Sequence, residues 1–84
     1  MKHILIVEDD TTFAVMLQTW LSKKKFSVAS VSGIAAAKKT LIESSVDLVL
    51  CDLRLPDGDG IDLLEWVNNR NVNVPLIVMT SYAA

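Results

Sequence analysis

The fold of this chain is decided by the stretches HILIVEDD at residues 3–10 and VDLVLCD at residues 46–52. Each is a short apolar run that ends in acidic residues, which is typical of a strand buried on both faces of a parallel sheet. If these strands lie side by side, Glu8, Asp9 and Asp52 meet at one edge of the sheet. Crowded carboxylates repel each other unless a cation lies among them, and oxygen ligands suit Mg²⁺. The pattern therefore predicts a divalent-metal site with one aspartate available as a nucleophile toward phosphorus.

Strand-like and helical segments alternate along the whole chain. Strands joined by single helices favour a parallel sheet with right-handed crossovers. In the doubly wound order 2-1-3-4 the first and third strands are neighbours, at the point where such folds bind ligands. The predicted strands are residues 3–7, 26–31, 47–51 and 75–80, and the predicted helices are residues 11–24, 33–44 and 60–70.

Local signals also predict helix caps and core positions. We expect Asp10 or Thr11 to be the N-cap of the first helix and Ser32 that of the second, because short polar side chains accept hydrogen bonds from helix N-termini. Trp20 and Trp66 lie at helical core spacing, so we expect both rings to be buried.

Composition limits the class of protein. The 84 residues allow one domain, and a hydrophobic content of 51% suits a globular core. A net charge of −2 argues against direct contact with nucleic acid. The single cysteine, Cys51, excludes an internal disulfide and is expected to point into the core. Because no apolar run approaches the roughly 20 residues of a membrane span, we expect a cytoplasmic protein without membrane contact.

Four motifs together resemble the receiver domain of bacterial two-component response regulators. They are the acidic residues closing ILIVEDD, the aspartate closing DLVLCD, the loop LRLPDGDG at residues 53–60 and the hydroxyl closing PLIVMTS at residues 75–81. They occur in the family's order and spacing over essentially the whole chain. The resemblance implies a flavodoxin-like α/β fold and a signalling module rather than an enzyme. It also implies phosphoryl transfer from a sensor histidine kinase or a phosphotransfer protein.

The resemblance implies a role for each residue of the site. Asp52 would be the phosphoacceptor and also a Mg²⁺ ligand, Asp9 a direct Mg²⁺ ligand and Glu8 a ligand through water. The Arg54 backbone carbonyl would be a further ligand, and the Thr80 hydroxyl would bind the phosphoryl group and act as the switch. The plainer alternatives are that Asp52 only caps the turn after its strand and that the acidic residues only favour a helix N-terminus.

The resemblance further implies that residues 1–84 are an incomplete receiver domain. The family has five strands and five helices, so the last strand, with its phosphoryl-binding lysine, and the last two helices are expected to be missing. Phosphorylation would then be impaired. Arg54 and Tyr82 occupy the positions that tune dephosphorylation in the family.

Two other functions are considered. A non-catalytic scaffold is the main alternative, because an exposed edge on the fourth strand would pair with a second chain and form a homodimer. A phosphatase of the haloacid dehalogenase type also uses an aspartate at a strand end. That family requires an acidic residue two positions later, where this chain has Arg54.

Overall fold

The computed structural model describes residues 1–70 and 73–80. All predicted helices and strands are present, and their ends differ from the prediction by no more than one residue. The strands are β1 (His3–Val7), β2 (Ser27–Val31), β3 (Leu48–Asp52), β4 (Arg54–Leu55), β5 (Gly58–Asp59) and β6 (Leu76–Met79), and the helices are α1 (Thr11–Lys23), α2 (Ile34–Glu43) and α3 (Gly60–Asn69).

Four strands form one parallel sheet in the order β2-β1-β3-β6. This is the predicted order 2-1-3-4, because β6 is the fourth strand of the main sheet. The register pairs Val7 with Cys51 and Asp52 with Met79. The carboxyl ends of β1, β3 and β6 therefore lie at one edge of the sheet, which is the edge where the acidic residues were expected to meet.

The strong apolar character of β1 is explained by burial on both faces. Successive side chains of a strand point to opposite faces, and Ile4 and Ile6 pack on one face while Leu5 and Val7 pack on the other. The first face is covered by α1 through Leu21. The other face is covered by α2 and α3. Its buried residues are Leu5, Val7, Ile34, Ala37, Leu41, Val49, Cys51, Leu63 and Val67.

The prediction that Trp20 is buried is wrong. Its side chain is 58% exposed, and the Nζ of Lys24 lies 5.1 Å from the ring centroid. The buried residues of α1 are Ala14 and Leu21, which lie two helical turns apart and form a narrow buried stripe. Trp20 lies beside this stripe rather than on it. The same prediction for Trp66 is confirmed in part, because its side chain is partly buried against the core.

The first helix begins as predicted. Asp10 is the N-cap of α1, and its Oδ1 accepts a hydrogen bond from the backbone N–H of Phe13 at 3.1 Å. Of the two candidates, Asp10 rather than Thr11 therefore holds the cap position.

The prediction that Ser32 caps the second helix is wrong. The N-cap of α2 is Gly33, which has no side chain to accept a hydrogen bond. The acceptor comes from a distant segment instead. Asp57 Oδ1 accepts from the N–H of Ile34 at 2.8 Å, and its Oδ2 accepts from the N–H of Ala35 at 3.0 Å. Two free N–H groups in the first turn of α2 thus find their acceptor in a residue far away in the sequence.

The segment predicted as a simple loop at residues 53–60 contains a small antiparallel hairpin. Strands β4 and β5 pair Arg54 with Asp59 and Leu55 with Gly58, so the turn is Pro56-Asp57. Gly58 has a φ of +152°, a conformation that residues with a side chain rarely adopt. Within residues 1–70 and 73–80, no helix has the length and apolar character needed to cross a membrane.

Candidate functional site

Three carboxylates meet at the carboxyl edge of the sheet. Glu8 and Asp9 directly follow β1, and Asp52 is the last residue of the neighbouring β3. One carboxylate oxygen from each residue lies within 4.8 Å of the others. The structure therefore brings together the three side chains for which the sequence predicted a shared site.

Glu8 is held in place by backbone contacts at the end of its strand. Its N–H donates to the carbonyl of Val31 at 2.9 Å, which continues the pairing with β2. Its Oε2 accepts from the N–H of Asp10 at 3.0 Å, at the start of the turn into α1. Glu8 is 4% exposed, so this contact fixes the direction of a carboxylate that is almost completely removed from water.

Asp52 is similarly constrained. It is 6% exposed, and the next residue, Leu53, donates its N–H to the carbonyl of Met79 at 2.7 Å. Gly60 begins α3 against the same backbone. A Cβ at Gly60 would lie 2.7 Å from the Asp52 carbonyl oxygen, which is closer than real contacts of this kind. The backbone of Asp52 is therefore enclosed by β6 on one side and α3 on another.

The electrostatics of the site follow from this burial. Loss of water raises the pKa of Glu8, and the charges of Asp52 and Asp9 raise it further, against a lowering by the N–H of Asp10. Burial is also the main reason that the pKa of the Cys51 thiol is raised to about 12, with further contributions from Asp52 and Glu8. The carboxyl edge of the sheet thus concentrates negative charge in a poorly solvated place.

This donor set fits Mg²⁺. The ion prefers hard oxygen ligands and binds through a small number of carboxylates, and the cluster offers three, of which Glu8 and Asp52 are buried and Asp9 is exposed. Positive charge here would offset the repulsion that Asp52 and Asp9 add to the effect of burial on the pKa of Glu8. The exposed position of Asp9 leaves the cluster open to solvent on one side.

The other predicted site residues lie close by in the chain. Thr80 follows β6 and is exposed, and its neighbour Met79 is the register partner of Asp52. Arg54 lies in β4, two residues after Asp52, with an exposed side chain. Tyr82 lies outside the described residues.

Asp57 was missed as a functional candidate. The sequence shows only an aspartate before a glycine in a turn, which is ordinary turn composition. Its contact with α2 joins residues 23 positions apart. No local pattern identifies that partner.

A sequence model of the response regulator receiver domain matches residues 4–84. The response regulator protein PilR of Pseudomonas aeruginosa is 32% identical over 83 residues, which cover 99% of this chain and 19% of PilR. The transcriptional regulatory protein GltR of the same organism is 37% identical over 82 residues, which cover 95% of this chain and 34% of GltR. The chain thus spans between about a fifth and a third of the length of these curated relatives.

Solved structures of response regulators also have a fold similar to that of this chain. The MaeR response regulator bound to beryllium trifluoride has a TM-score of 0.91 at 40% identity, covering 100% of this chain and 70% of that one. The non-phosphorylated HemR receiver domain from Leptospira biflexa has a TM-score of 0.89 at 34% identity, covering 100% of this chain and 68% of that one.

Proposed function

This chain belongs to the family of response regulator receiver domains, the phosphoaccepting modules of two-component signalling, and on that premise we propose that Asp52 accepts a phosphoryl group with the help of Mg²⁺. The observation that carries the proposal is the carboxylate cluster itself. Glu8, Asp9 and Asp52 place oxygen atoms within 4.8 Å of one another, and two of the three side chains are buried. A cluster of this kind is costly to keep charged without a cation.

Four groups would hold the ion. Asp9 and Asp52 would bind it directly, Glu8 through a water molecule, and the Arg54 backbone carbonyl would add a further oxygen. This division of roles follows the family resemblance, and the closeness of the three carboxylates supports a shared site. When bound, Mg²⁺ supplies positive charge that stabilises the phosphoryl oxygens during transfer.

The chemical step is a displacement at phosphorus. A carboxylate oxygen of Asp52 attacks the phosphorus of the donor and forms a new oxygen–phosphorus bond. The bond between phosphorus and the donor's leaving atom breaks, and its electron pair departs with the leaving group. The product is an acyl phosphate on Asp52. The donor would be a phosphohistidine on a sensor histidine kinase or phosphotransfer protein, or a small phosphorylated molecule.

Thr80 would bind the product. Its position directly after the register partner of Asp52 supports a hydrogen bond from its hydroxyl to a phosphoryl oxygen. The similar MaeR response regulator was solved bound to beryllium trifluoride, which resembles a phosphoryl group in shape and charge, and this supports the binding of such a group by the present chain.

Intact-mass spectrometry tests the proposal. The chain is incubated with acetyl phosphate with and without Mg²⁺, together with Asp52→Ala and with Asp47→Ala. Asp47 is an exposed aspartate whose carboxylate accepts from the N–H of His3 at 2.8 Å, near the opposite end of the sheet. We expect a Mg²⁺-dependent gain of one phosphoryl group in the wild type and in Asp47→Ala, and none in Asp52→Ala. A gain that persists in Asp52→Ala would show that another residue is modified.

Self-association of the 84-residue chain is a second candidate. Among the described residues β6 pairs with β3 and with no second strand, and Ile77 on β6 is 53% exposed. An unpaired edge with apolar side chains favours strand pairing between chains. Light scattering at micromolar concentration should then report a dimer that Ile77→Lys converts to a monomer. A monomeric wild-type chain would exclude this candidate.

A further inference from the structure

The hairpin of β4 and β5 carries the Arg54 carbonyl, one of the proposed metal ligands. Each of its strands has two residues, and a two-stranded hairpin is marginally stable by itself. Its base is held where the Leu53 N–H donates to Met79 and the Gly60 N–H donates to Leu53, at 2.7 and 2.8 Å. Leu55 of β4 also packs against the core. These contacts hold the strands of the hairpin but not its turn.

The turn is held by Asp57. Both of its carboxylate oxygens accept hydrogen bonds from α2, at 2.8 Å from the N–H of Ile34 and 3.0 Å from that of Ala35. These two N–H donors lower the pKa of Asp57, which shows that they favour the charged carboxylate. The negative charge at the helix N-terminus is favourable for the same reason.

The packing around this contact is close. A Cβ at Gly33 would lie 2.9 Å from Asp57 Oδ1, so the absence of a side chain at Gly33 makes room for the carboxylate. A Cβ at Gly58 would lie 3.3 Å from Cγ1 of Ile34. The turn of the hairpin and the first turn of α2 are thus fitted to each other from both sides.

We propose that Asp57 is a positioning residue for the metal site, because its two hydrogen bonds clamp the hairpin to α2 and so fix the Arg54 carbonyl beside Asp52. The inference rests on the proposed function. A metal site needs its ligands held to within about 0.5 Å, and Asp57 supplies the two hydrogen bonds that join the turn of this hairpin to α2. An ordinary helix cap would stabilise α2 without affecting the metal.

The test measures Mg²⁺ affinity by titration calorimetry on the 84-residue chain and on Asp57→Ala. Residues that orient metal ligands typically change affinity by 10- to 100-fold, and Asp57 acts one step further away, so we expect a weakening of about 5-fold. The Mg²⁺ affinity of Asp57→Asn should lie between those of the wild type and Asp57→Ala, because the amide oxygen of Asn still accepts one hydrogen bond. With acetyl phosphate, Asp57→Ala should need more Mg²⁺ for half-maximal phosphorylation and reach the same extent at saturating Mg²⁺.

Asp47→Ala is the matched control. It removes an exposed aspartate that also accepts a long-range hydrogen bond from a backbone N–H and also has a lowered pKa, but near the opposite end of the sheet. Thermal denaturation without Mg²⁺ checks that each variant is folded. The amide NMR signals of Ile34 and Ala35 should shift in Asp57→Ala and stay unchanged in Asp47→Ala.

Gly33→Ala perturbs the same contact from the other side and serves if Asp57→Ala does not fold. The added methyl group should displace the Asp57 carboxylate and weaken Mg²⁺ binding while Asp57 itself is unchanged. If folded Asp57 and Gly33 variants bind Mg²⁺ as tightly as Asp47→Ala does, Asp57 is only a helix cap and the positioning role is wrong. If the wild-type chain binds no Mg²⁺, the proposed function is wrong and the positioning role is overturned with it.

Discussion

Replacing Glu8 by Gln should stabilise the metal-free chain and remove much of its response to Mg²⁺. Glu8 is almost fully buried and shares its pocket with the carboxylates of Asp9 and Asp52. Gln has nearly the same shape, its amide oxygen can still accept from the N–H of Asp10, and its NH₂ group can donate to a neighbouring carboxylate. The substitution therefore removes repulsion and keeps the packing.

The magnitude follows from the distances. Two unit charges 4.8 Å apart repel by about 3.5 kcal/mol at an effective dielectric constant of about 20. The gain is smaller than this because Asp9 is exposed and screened, and because the raised pKa of Glu8 lets a fraction of the molecules avoid the charge. We expect a net stabilisation of about 1–2 kcal/mol, and in a domain of this size each kcal/mol raises the Tm by about 4–8 °C.

Thermal denaturation followed by circular dichroism, with EDTA and with saturating Mg²⁺, measures both effects. A ligand at 100 times its Kd stabilises the folded state by about 2.7 kcal/mol. Addition of Mg²⁺ should therefore raise the Tm of Glu8→Gln clearly less than it raises that of the wild type. Glu65→Gln, at an exposed position of α3, is the control and should behave as the wild type. A lower Tm for Glu8→Gln in EDTA, or an undiminished gain from Mg²⁺, would refute the electrostatic account of the cluster.

Four further outcomes are expected. Gly60→Ala should cost about 1–3 kcal/mol in urea denaturation and slow phosphorylation, because the new methyl group would lie 2.7 Å from the carbonyl of Asp52. The raised pKa of Glu8 means that a proton must leave when Mg²⁺ binds at pH values just above 4.5. Mg²⁺ affinity measured by calorimetry should therefore fall as the pH is lowered through the raised pKa of Glu8. The metal-free chain should be more stable below that pKa and lose this stability as the pH rises through it. Leu63→Ala, at a fully buried position, should lower the free energy of unfolding by about 2–5 kcal/mol. The Cys51 thiol, whose pKa is raised to about 12, should resist alkylation by iodoacetamide at pH 8 in the folded chain and react quickly in denaturant.

The sheet and the acidic cluster were predictable because each depends on local information. The runs that end at Glu8 and Asp52 mark buried strands, and parallel strands bring their carboxyl ends to one edge whatever the details of packing. The N-cap of α1 was predictable for a similar reason, since Asp10 lies directly before the helix that it caps.

The remaining features depend on which faces of the elements meet. Trp20 has the spacing of a core residue, yet the narrow contact between α1 and the sheet leaves it exposed, and periodicity does not show how wide a buried stripe is. Ser32 has a side chain that is common at helix N-caps, but the N-cap position of α2 is occupied by Gly33.

The sequence by itself determined the element order, the parallel sheet and the meeting of Glu8, Asp9 and Asp52. These follow from periodicity and from the geometry that all parallel strands share. Only the tertiary structure decided that Asp57 caps α2 and that residues 53–60 form a hairpin held between the sheet and this helix. The physical reason is that an aspartate in a turn has the same local signal whether it binds its own segment, another segment or water. Its partner is set by core packing that brings together segments far apart in the chain.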